Sequence, residues 1–208
     1  MRVRVCSLAL LLLLQACAAT RLVPLPDSAA TVHRERRAIS KRLPGLTVTV
    51  EAGAWDHRPR LLTDSVLPFL VEVQNHSSDG VRLQFEEVSL VIDDRGGPRR
   101  PLRPEEAEAL LSGVSDPWAI VPSLGIEVTG PEPTLFSLEL GLNVNRARDL
   151  RDIRRLAFPP ESIACGSQAK GFVYFRQPPA DARGLTLLLA LDVPGARHQL
   201  SFAYAVER

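Results

Sequence analysis

The chain has little with which to build a covalently stapled or metal-held fold. Three cysteines occur in 208 residues, at positions 6, 17 and 165, too few for a disulfide framework. The four histidines, His33, His57, His76 and His198, have no second histidine or cysteine at ligand spacing. With no HExxH or CxxC, no metal and no cofactor are expected. A GxSxG nucleophile elbow and a glycine-rich phosphate loop are also missing, which removes the commonest hydrolase and nucleotide-binding signatures. The apolar run from Ser7 to Leu14 falls well short of the roughly 20 residues that span a bilayer. Aromatic residues are scarce at 5%, so the two tryptophans, Trp55 and Trp118, stand out.

What is present begins at the N-terminus. A basic start, Met1-Arg2-Val3-Arg4, leads into the apolar run and then into Leu14-Gln15-Ala16-Cys17. Charge, apolar stretch and small residues before a cut site make a secretory signal. Here residues 1–16 read as a lipoprotein signal peptide, with Cys17 as the residue to be lipidated after cleavage. An ordinary signal cut after Ala16 or Ala19 is the alternative. Lipidation of Cys17 would hold the protein to a membrane through its N-terminal lipid, and Cys6 would leave with the signal. Cys165 would then have no partner and is expected as a small, partly buried residue just before a strand. An unlipidated Cys17 could instead pair with it. Ala18 stands where aspartate marks inner-membrane retention in similar lipoproteins, and that resemblance implies the outer membrane, facing the periplasm.

Charge divides the rest. Residues 18–43 carry six basic and two acidic side chains, whereas residues 44–208 carry 17 basic and 22 acidic ones. With Pro24, Pro26 and Pro44 and few large apolar residues, residues 17–44 are expected to be a lipidated cysteine followed by a flexible basic tether. Its run from Arg34 to Arg42 could lie along anionic head groups or simply be solvated. Nucleic acid is not an expected partner of an exported, acidic domain.

From Gly45 the apolar period becomes two. Leu46, Val48 and Val50 alternate with polar residues, as do Leu67, Phe69, Val71 and Val73, then Val81, Leu83 and Phe85, then Val88, Leu90 and Ile92. The turn residues 75–80 predict a hairpin between the second and third of these. Alternation returns over 172–175, 185–193 and 200–206, with Pro194-Gly195-Ala196 predicting an antiparallel pair. Phe69, Val71, Phe172, Tyr174, Leu187, Leu189 and Phe202 are the candidate core. Between these strands, Pro104–Leu111 reads as a helix with Glu105 and Glu106 at its positive end. Segments 124–128 and 135–142 read as strands, and Asn145–Phe158 as a second helix. Residues 45–208 are thus expected to be one mainly β domain, an antiparallel immunoglobulin-like β-sandwich with a helix-containing insertion at about 104–160.

Two motifs are candidates for chemistry. Ser167-Gln168-Ala169-Lys170 matches SxxK, but that chemistry needs a helix to return the lysine to the serine, and this segment leads into a strand. Asp93-Asp94-Arg95-Gly96-Gly97 could offer carboxylates to calcium, although six to eight oxygens are required; a polar turn is the simpler reading. The loops holding Trp55-Asp56-His57 and Asp116-Pro117-Trp118 are candidate binding sites, since exposed aromatics anchor interfaces. Core packing of the two rings is the alternative.

Trp55, the block Thr63–Asn75, the block Val88–Asp94, Leu102–Glu105, Gly166 and Gly171–Phe175 together resemble uncharacterised bacterial envelope lipoproteins with a single immunoglobulin-like domain. The resemblance covers about half of the mature chain and implies a fold and a location, with no catalytic residue to carry over. The expected function is a non-enzymatic, membrane-anchored module that binds an envelope protein or supports an assembly. A periplasmic carrier of a small apolar or glycan ligand, or an envelope enzyme, are the alternatives.

Overall fold

The computed structural model describes residues 21–93, 97–113 and 150–207. Among the described residues ten strands make two five-stranded sheets in which every strand pair is antiparallel. Sheet A contains β1 (Arg21–Pro24), β6 (Arg82–Leu83), β7 (Ser89–Ile92), β9 (Gly184–Val193) and β10 (Ala196–Glu207). Its order is β1-β10-β9, and β6 and β7 share the far edge of β9. Sheet B contains β2 (Ala30–His33), β3 (Ala38–Leu43), β4 (Leu46–Ala52), β5 (Val66–Asn75) and β8 (Gln168–Arg176), paired in the order β2-β3-β4-β5-β8.

The two-residue period does the expected work. In β4, Leu46, Val48, Val50 and Ala52 are buried while the intervening residues are only half-buried. They meet Phe69, Val71 and Val73 of β5 and, across the sandwich, Leu187, Leu189, Phe202 and Tyr204. Full burial of each large side chain contributes about 1.5–3 kcal/mol. The Tyr204 hydroxyl donates to the Val50 carbonyl at 2.9 Å, which ties β10 to β4 and so sheet A to sheet B. Burial raises the pKa of that phenol and keeps it a donor.

Sheet B is covered on its other face as well. Helix α1 (Leu62–Ser65), helix α2 (Pro104–Gly113) and helical residues 150–155, which we call α3, lie over it. Trp55, Leu62, Leu102, Ala107, Ile153, Phe172 and Tyr174 form this second core. Helix α2 starts as its sequence requires. Pro104 occupies the first turn, and the Glu106 carboxylate accepts the Arg103 backbone N–H at 2.8 Å, half of a capping box. Arg154 of α3 forks onto Glu108 of α2 at 2.8 and 2.5 Å.

Strand β8 is closed on its outer edge. Leu102 N–H donates to Tyr174 O at 2.7 Å, Phe158 N–H to Phe172 O at 2.9 Å and Phe172 N–H to Leu156 O at 2.7 Å. This close approach requires Gly171, because a Cβ there would stand 2.4 Å from the Phe158 Cα. Pro68 is tolerated in β5 for a related reason. Tyr174 opposite it directs its carbonyl away toward Leu102, so the missing N–H of Pro68 lies on the β4 side, where pairing has already ended at Ala52.

Four expectations are corrected. Residues 21–43 are β1, β2 and β3 rather than a flexible tether, because Leu22, Ala38 and Ile39 bury fully and neighbouring strands satisfy the backbone. Residues 75–80 make a corner between the sheets rather than a hairpin, since β5 pairs in sheet B and β6 in sheet A. Asn75, fully buried, fixes that corner: its amide donates to Asp79 O at 2.7 Å, Ile163 O at 2.9 Å and Ala164 O at 3.1 Å, while its oxygen accepts from Ser77. Phe172 and Tyr174 face the helical layer, and Val173 and Phe175 take the sandwich side. Cys165 is exposed, ahead of a left-handed Gly166 that turns the chain into β8. The strands expected at 124–128 and 135–142 and the expected cap Asn145 lie outside the described residues.

Two outcomes follow from this packing. Gly171→Ala should cost about 1–3 kcal/mol through forced separation of β8 from Phe158, with faster hydrogen exchange at the Phe158 amide; an unchanged melt would show that the edge can relax freely. The Arg100 guanidinium, and then the Arg103 N–H, hold the Glu106 carboxyl down to about 2 from an ordinary 4.5. A depressed carboxyl stabilises the fold above its unfolded value and loses that contribution as pH falls through the folded one. Acid titration from above 4.5 down through about 2 should therefore loosen α2, and Glu106→Gln should flatten that part of the stability profile.

Candidate functional site

Strand β4 ends at Ala52, and Gly53, at a φ of 71°, turns the chain over the outer face of sheet B. That turn delivers Trp55. Its ring is 9% exposed and meets Phe172 edge-on with centroids 5.0 Å apart, with Tyr174 at 6.1 Å and His57 at 5.5 Å. The indole N–H donates to Pro59 O at 3.1 Å. Trp55 is therefore a packed wall of the second core, and its ring is not presented as an anchor. Trp118 and Cys17 lie outside the described residues.

Beside Trp55 runs an open trough of about 500 Å³. Leu70 and Phe172 make its floor, and Arg36, Glu51, His57, Arg155 and Lys170 line its sides. The β2–β3 hairpin supplies Arg36, the loop after β4 supplies His57, and α3 supplies Arg155, so with Glu51 of β4, Leu70 of β5 and Lys170 of β8 six parts of the chain converge. The charges are partly neutralised locally. Arg36 meets Glu51 at 2.9 Å, Arg155 meets Asp152 at 2.9 Å, and Lys170 stands 3.9 Å from Glu72. His57 Nε2 is 3.1 Å from the exposed Asp56 carboxylate. Such a pair resembles the base and orienter of a hydrolytic triad, but the described lining offers no hydroxyl or thiol beside it.

A second groove of about 520 Å³ lies where α2 meets the end of β8, between Arg99, Arg100, Leu102, Leu110 and Arg176. Arg100 is committed within it, donating to both oxygens of Glu106 at 3.0 and 2.6 Å.

The other motifs settle into structural roles. Ser167 precedes β8 and Lys170 lies inside it, so the strand carries the lysine away from the serine and no SxxK geometry forms. Asp93 accepts the Arg183 N–H at 2.5 Å, which ties the end of β7 to the residue before β9, and residues 94–96 of that motif lie outside the described residues. Among the described residues, no group of three or more His, Cys, Asp or Glu side chains is placed to hold a metal ion. The trough itself was missed in the sequence because its residues lie at separated positions and carry no shared motif. The Trp55-Asp56-His57 loop was its one legible part.

Trp55→Ala should cost about 3–5 kcal/mol, as removal of a packed aromatic does, whereas His57→Ala should shift the melt by less than about 1 kcal/mol. Thermal melts of the two variants check this, and equal small shifts would contradict the packing described. Comparison with protein-family models, curated proteins and solved structures finds no match to this chain.

Proposed function

We propose that the chain is an envelope lipoprotein, similar to those with one immunoglobulin-like domain, anchored through Cys17 and acting as a non-enzymatic module that binds another envelope protein. The observation that carries this reading is the trough on the outer face of sheet B. It combines an apolar floor with charges of both signs on the β2–β3 turn, β4, α3, β8 and the β4–α1 loop, all held by a two-core scaffold. A surface of this kind suits a polypeptide segment, which offers side chains of both signs along a short apolar stretch. The half-open shape also suits it better than a small ligand, which needs most of its surface enclosed.

Two measurements test the reading. Cys17→Ser should move the protein from the detergent-extracted membrane fraction to the soluble periplasm; lipid-labelled membrane material from that variant would overturn the anchor. A photoreactive residue in place of His57, which lines the trough and is only partly exposed, should crosslink a defined envelope protein in intact cells. The double change Arg155→Glu and Lys170→Glu should reduce that product at least fivefold without lowering the melting temperature. An unchanged product would remove the trough from the interface.

A further inference from the structure

The sandwich has two ends, and one of them carries a cluster of arginines beside an exposed leucine. Arg21 pairs with Glu207, which places the beginning of β1 beside the end of β10. Across the core, Lys41 Nζ lies 5.8 Å from the Phe202 ring, while Tyr204 bonds to Val50 further along. Progress toward Glu207 in sheet A is therefore progress toward Ala52 in sheet B. The tip of the β2–β3 hairpin, residues 34–37, lies at that same end, because Ala52 N–H donates to Arg37 O at 3.2 Å. So does the loop before β5, since Val66 pairs with Arg176 beyond the last β4 residue.

Three residues separate Cys17 from Arg21. Fully extended, that link spans about 14 Å. A lipid on Cys17 would thus hold this end against the bilayer, with no long tether between them. The end of sheet B is suited to such contact. Arg34, Arg36 and Arg37 sit at the hairpin tip, Arg58 and Arg60 in the loop, and Arg176 at the end of β8. Against these six stand Glu35, Glu51, Asp56 and Asp64. Next to Arg60, Leu61 is 68% exposed, the most exposed large apolar side chain among the described residues, while its neighbour Leu62 is fully buried. The end of sheet A is less basic, with Arg21 and Arg183 against Asp93, Asp181 and Glu207. At the far end of the sandwich the corner exposes Asp79, and Arg42, Arg82 and Arg197 are exposed there as well, while Glu86 and Glu87 lie midway along the edge of β9.

We propose that the sheet B end, residues 34–37 with 58–61, is a membrane-docking surface in which the arginines meet anionic phospholipid head groups and Leu61 enters the interface. Its orientation rests on lipid attachment at Cys17. Basic side chains beside an inserted apolar residue are the pattern of interfacial binding. Docking this end turns the corner at residues 75–80 away from the bilayer; the trough shares Arg36 with the docking surface, and its Arg155 and Lys170 side remains for a partner.

Hydrogen exchange of the acylated protein on vesicles containing about one-third phosphatidylglycerol, an anionic content that gives a negative surface potential, tests the surface directly. Amides of residues 34–37 and 58–61 should exchange more slowly than in the soluble Cys17→Ser chain, and those of 76–80 should not change. Equal exchange at 34–37 and 58–61 overturns the proposal even where the protein is held by its lipid, so failure here is separate from failure of the anchor. The protection should also fall several-fold in Arg34→Ser with Arg60→Ser, in Leu61→Ser, and at about 1 M salt, where the Debye length is about 3 Å. Exposed Arg42, at the other end of β3, serves as the control, and Arg42→Ser should leave protection intact. Protection that is the same on phosphatidylcholine vesicles, or insensitive to all three changes, likewise overturns it.

Discussion

The rest of the structure depends on strand β8 being buried on every side. Residues 171–175 are buried without a break. Val173 and Phe175 fill the sandwich, Phe172 and Tyr174 fill the helical layer, β5 takes one edge, and Leu102 with residues 157–158 takes the other. Phe69 meets Phe175 at 6.0 Å on one side of the sheet, while on the other the Tyr174 hydroxyl donates to Ile153 O at 2.9 Å. Two cores thus share this strand, as they share its neighbour β5 through Val66 on one side and Phe69, Val71 and Val73 on the other. An antiparallel sheet can leave one face wet, but this one cannot, because Phe172, Tyr174, Val66 and Leu62 would then be exposed together. The helices between β7 and β8 are the cover that the strand requires.

That requirement also explains the candidate site. Layering helices over sheet B leaves a gap where they stop, between α3 and the β2–β3 hairpin, and the trough occupies it. Its floor belongs to the second core and its walls to elements that meet only in the folded chain. Trp55 illustrates the trade-off: the same aromatic character that suits it to recognition suits it better to packing against Phe172, and its N–H finds a carbonyl within its own loop. The groups left to face solvent are the long charged side chains. Their apolar stems can lie along the wall while their heads stay hydrated.

Polar groups decide the joints. Asn75 and Tyr204 are buried side chains whose hydrogen bonds run to distant backbone carbonyls, one at the corner between sheets and the other across the core. A buried amide without partners costs several times the net gain of a single hydrogen bond, so these residues fix one arrangement of the chain. Lys41 does similar work at an edge. Its ammonium pairs with Asp27 in the β1–β2 connection, and its nearly buried stem lies beside Phe202.

Much was decided by the sequence alone. Alternation over Leu46–Val50, Leu67–Val73 and Leu185–Val193 specified strands and their buried faces, because a side chain's face follows from a period of two. Pro194-Gly195 specified the β9–β10 turn, and Pro104 with Glu106 specified the start of α2. The tertiary structure decided the rest. Residues 21–43 lack the density of large apolar residues that marks a strand block, and only pairing with β10 and β4 makes them ordered. Alternation in β8 could not say which face belongs to which core, because both faces are apolar. The turn at 75–80 has hairpin chemistry, yet Asn75 reaches across to Ile163 and sends the chain into the other sheet. Beyond the Trp55-Asp56-His57 loop the trough has no linear signature, since its walls come from positions more than a hundred residues apart and are brought together by the second core.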